Sequence, residues 1–144
     1  MPVRASRSWV TTVRSCGRVL LLGSAALLLG APAASPADET AALVAAGKKL
    51  FVQCASCHSV GEEGMHGVGP NLRGVLGMPA AAQEDFQYSP ALQSANIVRT
   101  EEALDKWLEN PKAPVPANSM VFVGMPKAAD RKALIAYLKS VATQ

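Results

Sequence analysis

Cys54-Ala55-Ser56-Cys57-His58 sets two thiols three positions apart and an imidazole directly after the second. Three chemistries use these residue types at this spacing. As a zinc site, Cys54, Cys57 and His58 would give three ligands, but adjacent Cys57 and His58 are awkward partners in one tetrahedron. There is also no second Cys pair, and His66 is the only other histidine. As a thiol–disulfide centre, the pair would need the strand and helix pattern of a redox βαβ fold, which the flanking sequence lacks. The third chemistry is covalent attachment of a c-type haem, for which Cys-x-x-Cys-His is a known signature. Two cysteines so spaced, just past a helix, can form thioethers with the two vinyl groups on one side of a porphyrin, while the next residue brings an imidazole under the iron.

The start of the chain bears on this choice. Arg4, Arg7, Arg14 and Arg18 precede the apolar run 19–29, which leads into small residues around Ala31-Pro32-Ala33 and Ser35-Pro36-Ala37. This is the three-part pattern of a secretory signal peptide, expected over 1–37 with cleavage in 33–37 and a domain over 38–144. The run is shorter than the roughly 20 apolar residues of a membrane span, although an uncleaved helix anchoring the domain in the periplasm is the alternative. Removing the segment leaves ten basic against eleven acidic residues, a net of −1, so the basic character of the whole chain belongs to its export signal. Nucleic acid is therefore no expected partner. Cleavage also removes Cys16, leaving Cys54 and Cys57 in an oxidising compartment where free thiols tend to join. Thioether formation would consume both, and it takes place after the chain has crossed the membrane.

Few elements are available to position these groups. Acidic residues followed by Leu43, Ala46, Leu50 and Phe51 at helical spacing predict a helix over about 39–53. The Gly- and Pro-rich stretch from His58 to about Pro90 predicts loops with one short helical turn. Thr100-Glu101-Glu102 reads as an N-cap and first turn, opening a helix that runs to about Asn110 and stops at Pro111. After a Pro-rich loop, Leu134, Ile135, Tyr137, Leu138 and Val141 share one face of a terminal helix, with Lys132 and Lys139 turned outward. No alternating pattern predicts a sheet. The expected class is all-α, with three or four short helices and long loops over about 107 residues. That is little core for the length, so a large apolar cofactor would give the loops a common surface.

With those elements placed, the chain resembles a small class I cytochrome c, similar to mitochondrial cytochrome c and its bacterial periplasmic relatives. The resemblance runs from Gly47 to Lys139 through "GKKLFVQCASCH", "HGVGPNLRG", "FQYS", "LDKWLENP", "NSMVFVGM" and "LIAYLK", in the family's order. It implies one haem c attached through Cys54 and Cys57, with His58 and Met120 as iron ligands and Met125 as the fallback. It further implies that the Pro70 carbonyl accepts from the proximal imidazole, that His66 pins loops together, and that Gly47 and Phe51 cross Leu134, Tyr137 and Leu138. Tyr88 is implied as a propionate partner. Trp107 lies near Met120 where the family has tyrosine, and Arg99 stands in place of a propionate-bonding tryptophan. Met78 and Leu92 replace an arginine and an asparagine, so four interior groups have changed together. Arg99 is expected to take over charge compensation of the propionates.

The activity the resemblance implies is electron transfer in the periplasm by a monomer, with no enzyme chemistry and no small-molecule substrate. Its partners would be redox proteins such as a membrane cytochrome complex, an oxidase, a reaction centre or a dehydrogenase. Alternatives are a peroxidase-like or ligand-sensing haem protein and a haem-carrying subunit of a larger oxidoreductase. Lys112 and Lys127 persist from the family's lysine rim, but Ser119 precedes Met120 and Gln53 precedes Cys54. Docking is accordingly expected to depend only weakly on salt.

Overall fold

The computed structural model describes residues 35–142. The expected signal peptide lies outside these residues except for its last three positions, and those begin a helix. Helix α1 spans Pro36–Leu50, three residues ahead of the expected start. Ser35 is its N-cap: the hydroxyl accepts from the Asp38 amide at 3.2 Å, and the Asp38 carboxylate accepts in return from the Ser35 backbone at 3.2 Å. Ser-Pro-Ala-Asp has the small residues of a cleavage zone, but it is also a reciprocal cap with proline at the first helical position.

A 3-10 turn, Phe51–Gln53, tightens the end of α1 and delivers Cys54. Helix α2 (Pro90–Gln93) is the single short turn expected in the loop region, capped by Ser89. Helix α3 (Glu101–Glu109) opens on Thr100, whose hydroxyl accepts from the Ala103 amide at 3.2 Å. Helix α4 covers Ala128–Val141. No strand occurs among the described residues. One antiparallel bridge joins Pro79 to Val98, and around it Gly77 N–H donates to the Arg99 carbonyl (2.9 Å) and Ala80 N–H to that of Ile97 (2.7 Å). This bridge closes the loop that carries Tyr88.

The core lies where α1 and α3 pack on α4. Leu134, at 1 % exposure, sits at its centre among Leu104, Leu108, Ile135 and Leu138. Gly47 makes the α1–α4 crossing possible, because a Cβ there would lie 2.0 Å from the Ala133 carbonyl oxygen and 2.7 Å from Tyr137 Cβ. One turn on, the rings of Phe51 and Tyr137 meet with centroids 5.4 Å apart. The expected crossing partners therefore do meet.

One member of this core was not expected. Arg131, on α4, is 6 % exposed, and a buried cation is tolerated only when paired. Its Nε and Nη2 donate to the two Asp105 carboxylate oxygens of α3 at 2.8 and 3.1 Å. Nη1 donates to the carbonyls of Met125 and Pro126 at 2.9 and 3.1 Å. The guanidinium thus joins α3, α4 and the end of the loop between them.

Hydrogen bonding from Arg131 holds the Asp105 carboxyl below the usual carboxylate range. A carboxylate depressed in the fold stabilises it above its unfolded pKa, and that contribution disappears as pH falls through the folded value. Asp105→Asn is expected to denature at lower denaturant concentration than wild type at neutral pH, with the gap closing as the pH is taken below the ordinary carboxylate range. Denaturant titrations of both proteins across that range measure the gap, and a constant gap would contradict the assignment.

Candidate functional site

The turn that follows Phe51–Gln53 gathers three reactive side chains. Cys57 and His58 backbone N–H groups both donate to the Cys54 carbonyl, at 3.0 and 2.8 Å, so the two thiols and the imidazole leave a single turn. Both cysteines are free and half-buried. Burial, with a contribution from Cys57, pushes the Cys54 thiol up, the opposite of what an activated redox thiol requires. No group of three or more His, Cys, Asp or Glu side chains able to hold a metal ion occurs among the described residues. Both observations weaken the thiol–disulfide and zinc readings of the motif.

The His58 ring is fixed from outside its own turn. Nδ1 lies 2.7 Å from the Pro70 carbonyl oxygen, which can only accept, so Nδ1 carries the hydrogen and Nε2 keeps a free lone pair. Burial pulls the imidazole below the ordinary histidine range; the Pro70 bond opposes this, and the Arg99 charge adds to it. Burial thus favours the neutral ring, and the Pro70 bond favours the tautomer with its hydrogen on Nδ1. Gly69 lets the backbone run against the ring: a Cβ there would stand 2.4 Å from Cε1 and 2.7 Å from Nδ1. Backbone bonds from Gly69 N–H to the Cys57 carbonyl and from Leu72 N–H to the Ser59 carbonyl, each 2.8 Å, flank the contact.

His66 is occupied at both nitrogens. The Asn71 amide donates to Nδ1 at 2.9 Å, which leaves Nε2 as the donor to Asp85, also at 2.9 Å. Asn71, at 3 % exposure, extends the tie by donating to the Ser59 hydroxyl (2.9 Å) and the Gly61 carbonyl (3.0 Å). His66 therefore joins the 59–73 loop to the segment bearing Phe86 and Tyr88, whose rings stack edge-on at 4.8 Å.

Tyr88 is buried and Arg99 half-buried; burial pulls the Arg99 guanidinium below its ordinary range, and nearby Tyr88 opposes this. Arg99 Nη1 also donates to the Pro79 carbonyl at 2.9 Å, and its charge reaches His58. The structure thus brings together His58, Pro70, Tyr88 and Arg99. Trp107, half-buried on α3, and Met120, half-buried in the 111–127 loop, come from the other side of the sequence. Met125 lies within the helical core at 5 % exposure, its N–H bonded to the Leu108 carbonyl at 2.7 Å. Of the four positions expected to be interior, Met78 differs: it is 45 % exposed, because it lies beside the Pro79–Val98 bridge, where the chain is held by backbone bonds without burying the side chain.

Two residues that position these groups carried no signal in the sequence. Asn118 binds the backbone of the Met120 loop, and Arg131 binds its end. A lone Asn in a Pro-rich loop and a lone Arg on an amphipathic helix each look like surface.

Comparison with known proteins gives one consistent answer. The family model described as "Cytochrome c" matches residues 44–142. A cytochrome c2 from Afifella marina is 45 % identical over 104 residues, covering 70 % of this chain and 84 % of the relative. Cytochrome c from Chlamydomonas reinhardtii is 41 % identical over 104 residues, 72 % of this chain and 93 % of the relative. Among solved structures, cytochrome cH from Methylobacterium extorquens superposes with a TM-score of 0.64 at 37 % identity, covering 67 % of this chain and 97 % of its own.

The tight approach at Gly69 leads to a direct expectation. Gly69→Ala must displace the His58 ring or the backbone beside it, at a cost of about 1–3 kcal/mol. Denaturant titration of the purified protein measures this, and an unchanged midpoint would show that the ring is not confined there.

Proposed function

This chain belongs to the cytochrome c family, and we propose that it is a periplasmic carrier of single electrons whose one haem c is ligated by His58 and Met120. Covalent attachment through Cys54 and Cys57 follows from the family and from the spacing of the two thiols. The observation that carries the ligand reading is the His58–Pro70 hydrogen bond of 2.7 Å. It holds a hydrogen on Nδ1, which leaves Nε2 as the coordinating nitrogen, and raises the basicity of that nitrogen.

The residues present fit the group. Cys54 and Cys57 are unpaired and leave the same turn as His58, while half-buried Leu72, Leu76 and Phe122 offer apolar surface around it. When bound, haem supplies a one-electron couple whose potential His/Met ligation sets high. The chain's own side chains do the rest. His58 holds a fixed orientation, and Met120 would supply a soft thioether from the 111–127 loop. Met125, already committed to the core, is the weaker candidate for that position. Arg99 donates to the uncharged Pro79 carbonyl, which leaves its charge to balance a carboxylate on the cofactor. Tyr88 adds a neutral donor beside it, and Trp107 contributes an aromatic wall from α3. Protein ligands on both sides of the iron favour a carrier over an enzyme. The arginine-rich, apolar start of the chain supports export, and redox proteins facing the same compartment are the partners.

Absorption spectroscopy tests the ligands. The oxidised protein is expected to show the far-red charge-transfer band of methionine-to-iron ligation, lost in Met120→Ala and kept in Met125→Leu. A high-spin spectrum in the unaltered protein would overturn the reading. Arg99→Leu is expected to lower the midpoint potential by on the order of tens of millivolts, since removing a nearby cation favours the more positive oxidised state. Redox titration measures the shift, and an unchanged potential with an unchanged melting temperature would count against the role given to Arg99.

A further inference from the structure

The loop from Pro111 to Lys127 carries Met120, yet it contains neither a helix nor a strand. One side chain collects its backbone polar groups. Asn118 is 4 % exposed; its Nδ2 donates to the Pro111 carbonyl at 2.8 Å and the Val115 carbonyl at 2.7 Å. Its Oδ1 accepts from the Met120 backbone N–H at 3.0 Å. The Asn118 amide also donates to the Val115 carbonyl at 3.1 Å, and the Asn118 carbonyl accepts from Lys112 Nζ. A carboxamide is suited to this, having two donors and an acceptor on one rigid plane.

The contacts run in a definite direction. Pro111, among the most deeply buried residues, follows directly on α3 and its cap residue Asn110, so its carbonyl is a fixed point. From there Asn118 spans inward to Val115 and onward to Met120. Beyond Met120, Val121 and Val123 are fully exposed and Phe122 packs against the core; the next hydrogen-bonded ties are at Met125, whose N–H donates to the Leu108 carbonyl, and at the Met125 and Pro126 carbonyls held by Arg131. Met120 is therefore placed from the Asn118 side.

We propose that Asn118 is the positioning residue for Met120, and that its carboxamide sets how readily Met120 yields its place to an outside ligand. The proposal rests on the reading of Met120 as an axial ligand. Losing two buried hydrogen bonds and one part-buried bond leaves the Met120 backbone free to swing, while the helices, which Asn118 does not touch through these bonds, stay as they were.

The test uses the haem-loaded full domain and imidazole as the outside ligand. In Asn118→Ala the apparent imidazole affinity of the oxidised protein is expected to rise at least about tenfold. The Met120 amide should exchange hydrogen correspondingly faster, with the amides of α1 and α4 keeping their protection. Asn118→Asp, which keeps the acceptor and loses both donors, should fall between the two and guards against a failure of the alanine variant to fold. Unchanged imidazole affinity with a normal far-red band overturns the positioning role, as does an equal loss of protection throughout the helices. A far-red band that survives Met120→Ala would instead sink the ligand reading, while faster exchange at the Met120 amide in Asn118→Ala would still support the strut.

Discussion

The hydrogen bond between His58 Nδ1 and the Pro70 carbonyl, at 2.7 Å, ties together two segments that no regular element connects. His58 ends the turn after the first helix, and Pro70 lies in a loop without periodic structure of its own. Their contact requires the absence of a side chain at Gly69, and it is reinforced by backbone bonds on either side. Asn71, directly after Pro70, then organises the rest of the 59–73 loop. Because a carbonyl can only accept, the same bond that holds the loop also decides the tautomer of the imidazole. Fold and chemistry share one constraint here.

The two histidines illustrate how partners assign chemistry. His58 has its hydrogen on Nδ1 because it meets a carbonyl, and His66 has its hydrogen on Nε2 because its Nδ1 meets an amide. One is left with a free nitrogen and the other with none. The two interior arginines divide in a similar way. Arg131 is neutralised by Asp105 and works as a structural tie, whereas Arg99 donates to an uncharged group, the Pro79 carbonyl.

Much of this was legible in the sequence where a feature had a local cause. The Cys54-to-His58 motif, the Thr100 cap, the Pro111 stop and the apolar face of α4 are short-range signals, and each appears as expected in the structure. Ser35 to Ala37 carries two signals at once, because small residues and a proline serve a cleavage zone and a helix start equally well. Asn118 and Arg131 escaped because Asn118 binds backbone groups, which are the same for every residue type, and Arg131 pairs with Asp105, 26 residues away, so neither contact leaves a local trace in the sequence. Met78 was expected inside only because it stands where the family has an interior arginine, and it is 45 % exposed.

The crossing of α1 and α4 joins residues 47 and 133, nearly the two ends of the described chain. The cost of closing so long a loop grows only slowly with its length, but it must be met before the contact gives anything back, and the closing partner is made last. The interior cannot close until the final helix has emerged. Until then the chain stays open, with Cys54, Cys57 and His58 accessible to whatever completes them. The order of assembly is written into the distance between two helices.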